Sequence, residues 1–197
     1  MCGFVGFTNR INDNGEVLES MMNRIIHRGP DSAGKFVNED VALGFRRLSI
    51  IDLAEGDQPM FNEDKSLVLT FNGEIYNFKD LRAELVEAGH KFANNSDSEV
   101  LIHGYEEWGE ELVKRLRGMF AFVIFNRNDK SIFAARDMFG IKPFYYTFMG
   151  GSIIFSGDSH SAAALLCAYA QATELARFCG FRSAMVLTSE GLTSCNF

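Results

Sequence analysis

Apolar residues along this chain fall into two patterns, short continuous runs and stripes with helical spacing. The run GFVGF at residues 3–7 predicts a first strand. GEVLESMMNRIIH then places Val17, Leu18, Met21, Met22, Ile25 and Ile26 on one helical face, and HRGPD ends that helix because Gly29 and Pro30 do not continue it. VALGFRRLSIID reads as a strand running into a polar loop, AEGDQP, while SLVLTF reads as a short strand with NGEIYN as the turn after it.

Two amphipathic helices are expected next. NFKDLRAELVEAGH packs through Phe78, Leu81, Leu85 and Val86 and stops at Gly89. NNSDSEVLIHGYEEWG opens on a capping cluster and packs through Val100, Leu101, Tyr105 and Trp108. EELVKRLRG is a short third segment. MFAFVIF, SIFAARD, PFYYTF and SIIF follow as four short strands whose spacing suggests an antiparallel meander. Helices grouped against antiparallel sheet, without βαβ alternation, give an α+β class.

Composition changes at about Ser156. The last 42 residues carry five charged side chains and no lysine, and they hold three of the four cysteines. Residues 156–197 therefore read as a different kind of sequence from residues 2–155. HSAAALLCAYAQATELARFCG has helical potential, but its apolar positions run almost all round.

A length of 197 residues suits one domain, or a domain with an appendage, and 47% hydrophobic content is that of a globular chain. A net charge of -7 argues against a nucleic-acid partner, which calls for a basic face. MCGFVGF lacks the basic start of a secretory signal, and SAAALLCAYAQAT is shorter than the ~20 residues that span a bilayer. No membrane partner is therefore expected. The cysteines at 2, 167, 179 and 195 form neither a CxxC pair nor a zinc spacing, so no metal ligand set is read and a reducing, cytoplasmic setting is expected.

Cys2 is the first candidate for chemistry. Removal of Met1 leaves a thiol and a free α-amine on one carbon. A free thiol, pKa about 8.5, is a few per cent thiolate at neutral pH and needs a base. An α-amine, pKa about 7.7–8.0, is suited to take that proton, directly or through water. The alternative is a small buried hydrophobe at the start of a strand, and position alone does not separate the two.

Three other segments offer matching groups, each with a plain structural alternative. Arg47 in RRLSIID is suited to a bidentate carboxylate or to a surface ion pair. Asn72 and Gly73 in NGE provide two donors of the kind an oxyanion needs, or simply a hairpin turn. Asp97 in SDSEV stands at a helix start, where it is a charge partner or a cap.

In order and spacing, MCGFVGF, HRGPD, RRLSIID, NGEIYN, SDSEVLI, LRGMFAFVIFN and RDMFGIKPFYY resemble the class II glutamine amidotransferase domain of the N-terminal nucleophile hydrolases. More narrowly, RLSIID, NGEIYN and GIKPFYY resemble the N-terminal half of glutamine-hydrolysing asparagine synthetase, rather than glucosamine-phosphate synthase or phosphoribosyl-pyrophosphate amidotransferase. The resemblance covers residues 2–155 and implies a four-layer αββα sandwich of antiparallel sheets.

It also implies roles. Cys2 is the nucleophile on the glutamine side-chain amide, with its own α-amine as base. Asn72 and Gly73 form the oxyanion hole. Arg47 pairs with the substrate α-carboxylate and Asp97 with its α-ammonium, while Leu48, Ser49, Ile50 and Glu74 line the pocket. His27 and the GIKPFYY segment are scaffold. Glutamine is the substrate, ammonia and glutamate the products, through a γ-glutamyl thioester. No cofactor is implied for this step. ATP and Mg are implied only for a synthetase half, which a partner chain would have to supply.

The family continues past residue 155 with a charged helix, whereas this chain reads SGDSHSAAALLCAYAQ. SGDSHS lacks the paired glycines of a phosphate loop. The expectation is an out-of-frame or truncated tail without an ATP-dependent domain, leaving ammonia release as the most this chain does. Two further readings are a glutaminase domain serving another synthase and an inactive, partner-binding fragment.

Overall fold

The computed structural model describes residues 2–9, 13–48, 57–158, 182–183 and 186–188. Ser49, Ile50, Met1 and the apolar stretch 161–181 lie outside them. The chain divides into two compact units, residues 1–51 with 143–184 and residues 52–142 with 185–197.

Among the described residues, the first unit holds one antiparallel sheet and one long helix. Its strands are β1 (Gly3–Thr8), β2 (Ser32–Val37), β3 (Val41–Arg47), β8 (Tyr145–Met149), β9 (Ser152–Ser156) and β10 (Arg182–Ser183), in the order β10-β8-β9-β1-β3-β2. The helix α1 (Asn14–Arg24) lays Val17, Leu18, Met21 and Met22 on the sheet, where they meet Val5, Phe7 and Ile154. Ile25 is buried too, but Ile26 is exposed: the helix tightens into a 3-10 turn at Ile26–Arg28, which rotates that side chain off the apolar face.

The edge strand β2 is absent from the sequence reading. Its side chains are exposed or half-buried throughout, so SAGKFV has no apolar run to betray it. The two described residues that follow β9 are packed. Gly157 N–H donates to Phe4 O at 2.8 Å, and Asp158 is buried.

The second unit holds β4 (Met60–Phe61), β5 (Leu67–Ile75), β6 (Gly118–Asn126), β7 (Ile132–Arg136) and β11 (Val186–Thr188), in the order β11-β7-β6-β5-β4. Its helices are α2 (Phe78–Glu87), α3 (Glu99–Trp108) and α4 (Leu112–Arg115). Leu69, Phe71 and Ile75 of β5 face Leu81, Leu85, Val100 and Leu101 of the helices. A fully buried leucine such as Leu85 contributes about 1.5–3 kcal/mol through removal from water.

Four expectations change here. NGE is not a turn: β5 runs nine residues through Asn72, Gly73 and Glu74 because β6 pairs with all of it, from Leu67↔Asn126 to Ile75↔Gly118. The turn comes later, at Tyr76–Asn77. Val86 is exposed, since helical spacing turns it away from the Leu81 and Leu85 face. Ser98 before α3 makes no side-chain cap bond. Finally, the four late strands do not form one meander. They are two hairpins in separate sheets, β6–β7 and β8–β9, and the chain passes from one unit to the other between Lys142 and Pro143.

Both units thus pair antiparallel strands with a helical layer, as the α+β class requires. Among the described residues no helix is long and apolar enough to cross a membrane.

Candidate active site

In the first unit, the pairing of β1 with β3 puts Gly3 across from Arg46. One step further along that ladder sets Cys2 against Arg47. Cys2 is half-buried. Leu48 N–H points to its sulfur at 3.5 Å and Leu48 O lies 3.8 Å from it, so the residue after β3 fixes the thiol rotamer from both main-chain groups. The structure therefore brings Cys2, Arg47 and Leu48 together.

Below them, Arg28 reaches the Cys2 carbonyl through Nη2 at 3.5 Å, and its Nε lies 3.8 Å from Asp158 Oδ1. HRGPD makes this possible. A Cβ on Gly29 would stand 2.4 Å from the Arg46 carbonyl carbon, so only glycine lets this turn lie against β3. His27 is more than half exposed, its Nε2 3.6 Å from Asp158 Oδ2. Arg28 escaped the sequence reading, and its signal was the HRGPD motif itself, a loop too polar and too tightly turned for a mere link.

In the second unit, β5 carries three of the expected residues. Alternation sends Leu69, Phe71 and Ile75 to the helical face, so Thr70, Asn72 and Glu74 lie on the other face. Asn72 is 4% exposed, and its side-chain Nδ2 has no hydrogen-bond partner. Such a buried orphan donor costs about 1–3 kcal/mol, which marks it as held for something other than stability.

The main chain beside it is arranged in the same sense. Tyr76 N–H donates to Arg117 O, so the N–H groups of Asn72 and Glu74 face β6, while those of Phe71, Gly73 and Ile75 face the opposite edge. There β4 pairs no further than Leu69. Gln58 fills the Phe71 position, accepting its N–H at 2.6 Å and donating to its carbonyl at 3.0 Å. Asp97 fills the Ile75 position, its Oδ2 accepting at 2.8 Å. The Gly73 N–H lies between these two filled sites. A Cβ on Gly73 would sit 2.3 Å from Met119 O, so β5 and β6 approach closely only because the residue is glycine.

Asp97 is half-buried, and burial pushes its carboxyl above the ordinary aspartate value, with the Glu74 charge adding to the rise against the Ile75 hydrogen bond. A carboxyl held this way gains from a cation placed beside it. Glu74 itself is exposed. The structure thus brings Asn72, Gly73, Glu74 and Asp97 together in one unit, and Cys2, Arg47 and Leu48 in the other.

Comparison with known proteins shows the family. Residues 1–188 match the family model described as a glutamine amidotransferase domain. The chain is 48% identical over 166 residues to asparagine synthetase [glutamine-hydrolyzing] 1 of Bacillus subtilis, covering 82% of this chain and 26% of that protein. It is 45% identical over 163 residues to the asparagine synthetase [glutamine-hydrolyzing] of Zea mays, covering 80% of this chain and 27% of the relative. The chain thus spans about a quarter of the length of these relatives. Among solved structures, glutamine phosphoribosylpyrophosphate amidotransferase of B. subtilis, complexed with ADP and GMP, aligns with a TM-score of 0.73 at 20% identity, over 99% of this chain and 50% of that one. That likeness shows a shared fold.

Proposed function

From the premise that this chain belongs to the glutamine amidotransferase domain family, homologous to the glutaminase half of glutamine-hydrolysing asparagine synthetases, we propose that it hydrolyses glutamine to glutamate and ammonia. The observation that carries this reading is the buried, unpartnered Asn72 amide next to the Gly73 N–H. Two donors on adjacent residues are what a tetrahedral oxyanion requires, and among the described residues Asn72 Nδ2 has no hydrogen-bond partner.

The steps follow from the groups present. With Met1 removed, the Cys2 α-amine accepts the thiol proton and the sulfur attacks the side-chain carbonyl carbon of glutamine. The oxygen, now negative, is bound by Asn72 Nδ2–H and Gly73 N–H. Collapse expels the amide nitrogen as ammonia, which takes the proton held by the α-amine. Water then attacks the γ-glutamyl thioester, the thiolate leaves, and glutamate is released. Arg47 pairs with the substrate α-carboxylate. Asp97 pairs with the α-ammonium, a cation that offsets the strain its burial imposes. Leu48 supports the sulfur, and the family resemblance gives Ser49, Ile50 and Glu74 pocket-lining roles.

By the same reading, the ammonia passes to a synthetase domain that uses ATP and Mg to make asparagine; the relatives are named glutamine-hydrolysing asparagine synthetases. The cytoplasm is the compartment assigned. The test compares glutamate release from glutamine by the processed chain and by the same chain acetylated at its α-amine. Loss of turnover on acetylation is expected. Equal turnover overturns the assignment of that amine as base.

A further inference from the structure

Away from these residues, the second unit gathers two histidines and a carboxylate between α2 and α3. His90 follows the end of α2, where its amide donates to Leu85 O. His103 and Glu106 stand three residues apart on α3, on one face. Glu106 Oε2 lies 2.9 Å from His103 Nδ1 and 3.6 Å from His90 Nδ1. One ligand atom from each of the three residues lies within 4.8 Å of the others. The edge of a tetrahedron around Zn2+ is about 3.3 Å, given bonds of about 2.0–2.2 Å, and the two shorter separations bracket it.

The outward atoms of the same side chains each face a partner. Glu106 Oε1 accepts from Asn62 Nδ2 at 2.8 Å. His90 Nε2 lies 3.1 Å from Glu107 Oε2, and His103 Nε2 lies 3.8 Å from Glu99 Oε1. Glu99 is itself fixed by the N–H groups of Ala93 and Asn94. A carboxylate behind each imidazole is the arrangement that orients histidine as a metal ligand. In the tautomer whose Nε2–H donates to Glu107, the His90 Nδ1 lone pair is turned toward the Glu106 oxygen, the orientation a shared metal ion needs.

We propose that His90 Nδ1, His103 Nδ1 and Glu106 Oε2 bind one divalent transition-metal ion, Zn2+ by preference, which clamps the end of α2 to α3. Two imidazoles and one carboxylate suit Zn2+ better than Mg2+ or Ca2+, which take oxygen ligands. His103 is almost fully buried, while His90 and Glu106 keep 17% and 27% of their side chains exposed, so an ion reaches the site and a fourth position remains for water. The role is structural and separate from the glutaminase chemistry. The spacing, two histidines thirteen apart and a glutamate three beyond, matches no zinc-finger pattern and so passed unread.

The test adds ZnCl2 to the 15N-labelled full chain and follows imidazole nitrogens by long-range 1H–15N spectroscopy, with chelator competition for affinity. The expected result is one equivalent bound, with the Nδ1 signals of His90 and His103 moving and their Nε2 protons retained. His90→Gln and Glu106→Gln weaken binding at least tenfold, and Glu107→Gln weakens it by roughly tenfold through the outer contact. His90→Gln removes a partly exposed ring at a helix end, so its folding is the safer control. Zn2+ taken up with both imidazoles unmoved, as capture by thiols would give, overturns the proposal. So does undiminished affinity in His90→Gln, or no binding at micromolar Zn2+.

Discussion

In the first unit the thiol proposed as nucleophile stands ahead of a strand, half-buried, with contacts of 3.5 Å and 3.8 Å from main-chain groups of Leu48. In the second, the donors proposed for the oxyanion lie inside a nine-residue strand, with Asn72 almost fully enclosed and the neighbouring edge positions closed by bonds of 2.6 Å and 2.8 Å. One unit presents its chemistry at the chain's beginning, where little structure depends on it. The other builds its chemistry into a sheet, where the same atoms also shape the fold. Loss of function and loss of stability therefore separate cleanly in the first unit and less so in the second.

Four substitutions probe that contrast. The largest effect is expected from Cys2→Ala: glutamate release falls to the uncatalysed level while the thermal midpoint stays in place. A clear drop in midpoint would mean that the chain's start is part of the core after all. Asn72→Ala comes next. Removing one oxyanion donor should lower kcat about 100–1000-fold with KM little changed, as steady-state glutaminase assays would read. Because Nδ2 has no partner to lose, its stability cost should be smaller than its burial suggests.

Gly29→Ala reverses the pattern for the first unit. Its new Cβ meets the Arg46 main chain at 2.4 Å, and the strain should cost about 1–3 kcal/mol in denaturant unfolding.

The smallest effect belongs to the second unit's histidine pair. Burial pushes the His103 imidazole down, but the Glu106 hydrogen bond and the charges of Glu63, Glu106 and Glu99 outweigh it, and the net direction is up from 6.5. Burial pushes Glu106 up, but hydrogen bonds from His103 and Asn62 and the His103 and His90 charges carry it below 4.5. A raised histidine stabilises fully below its unfolded value and loses this as pH rises through its folded one. A lowered glutamate stabilises fully above its unfolded value and loses this as pH falls through its folded one. In metal-free protein the pair thus contributes most between about pH 4.5 and 6.5. Glu106→Gln should flatten the pH profile of the melting temperature over those limbs.

Much of this was legible in the sequence where a segment obeys one demand. The stripe from Val17 to Ile25 serves only the core, and it appears as a helix where the spacing puts it. The family motifs also marked Cys2, Arg47, Leu48, Asn72, Gly73, Glu74 and Asp97, and each of these groups closes up within its own unit. Legibility failed where a segment obeys two demands. NGE looks like a turn because its residue types serve chemistry, yet long-range pairing with β6 makes it strand. SAGKFV looks like loop because an exposed edge asks for no apolar run. Phe78 to Glu87 was read as more apolar than it packs, since Val86 fits the composition and not the face. The split of four late strands between two sheets leaves no local trace, because pairing partners are chosen across the chain.

The strand order carries one more consequence, for synthesis. β1 lies between β3 and β9, and Val5 pairs with Ser156. A ribosome that has made the first sixty residues has already supplied one neighbour for β1. The other emerges about 150 residues after β1 itself, and such distant pairing is slow to form. Until then the nascent polypeptide carries its cysteine on a half-finished scaffold, and only the late arrival of β9 gives the strand behind Cys2 its second neighbour.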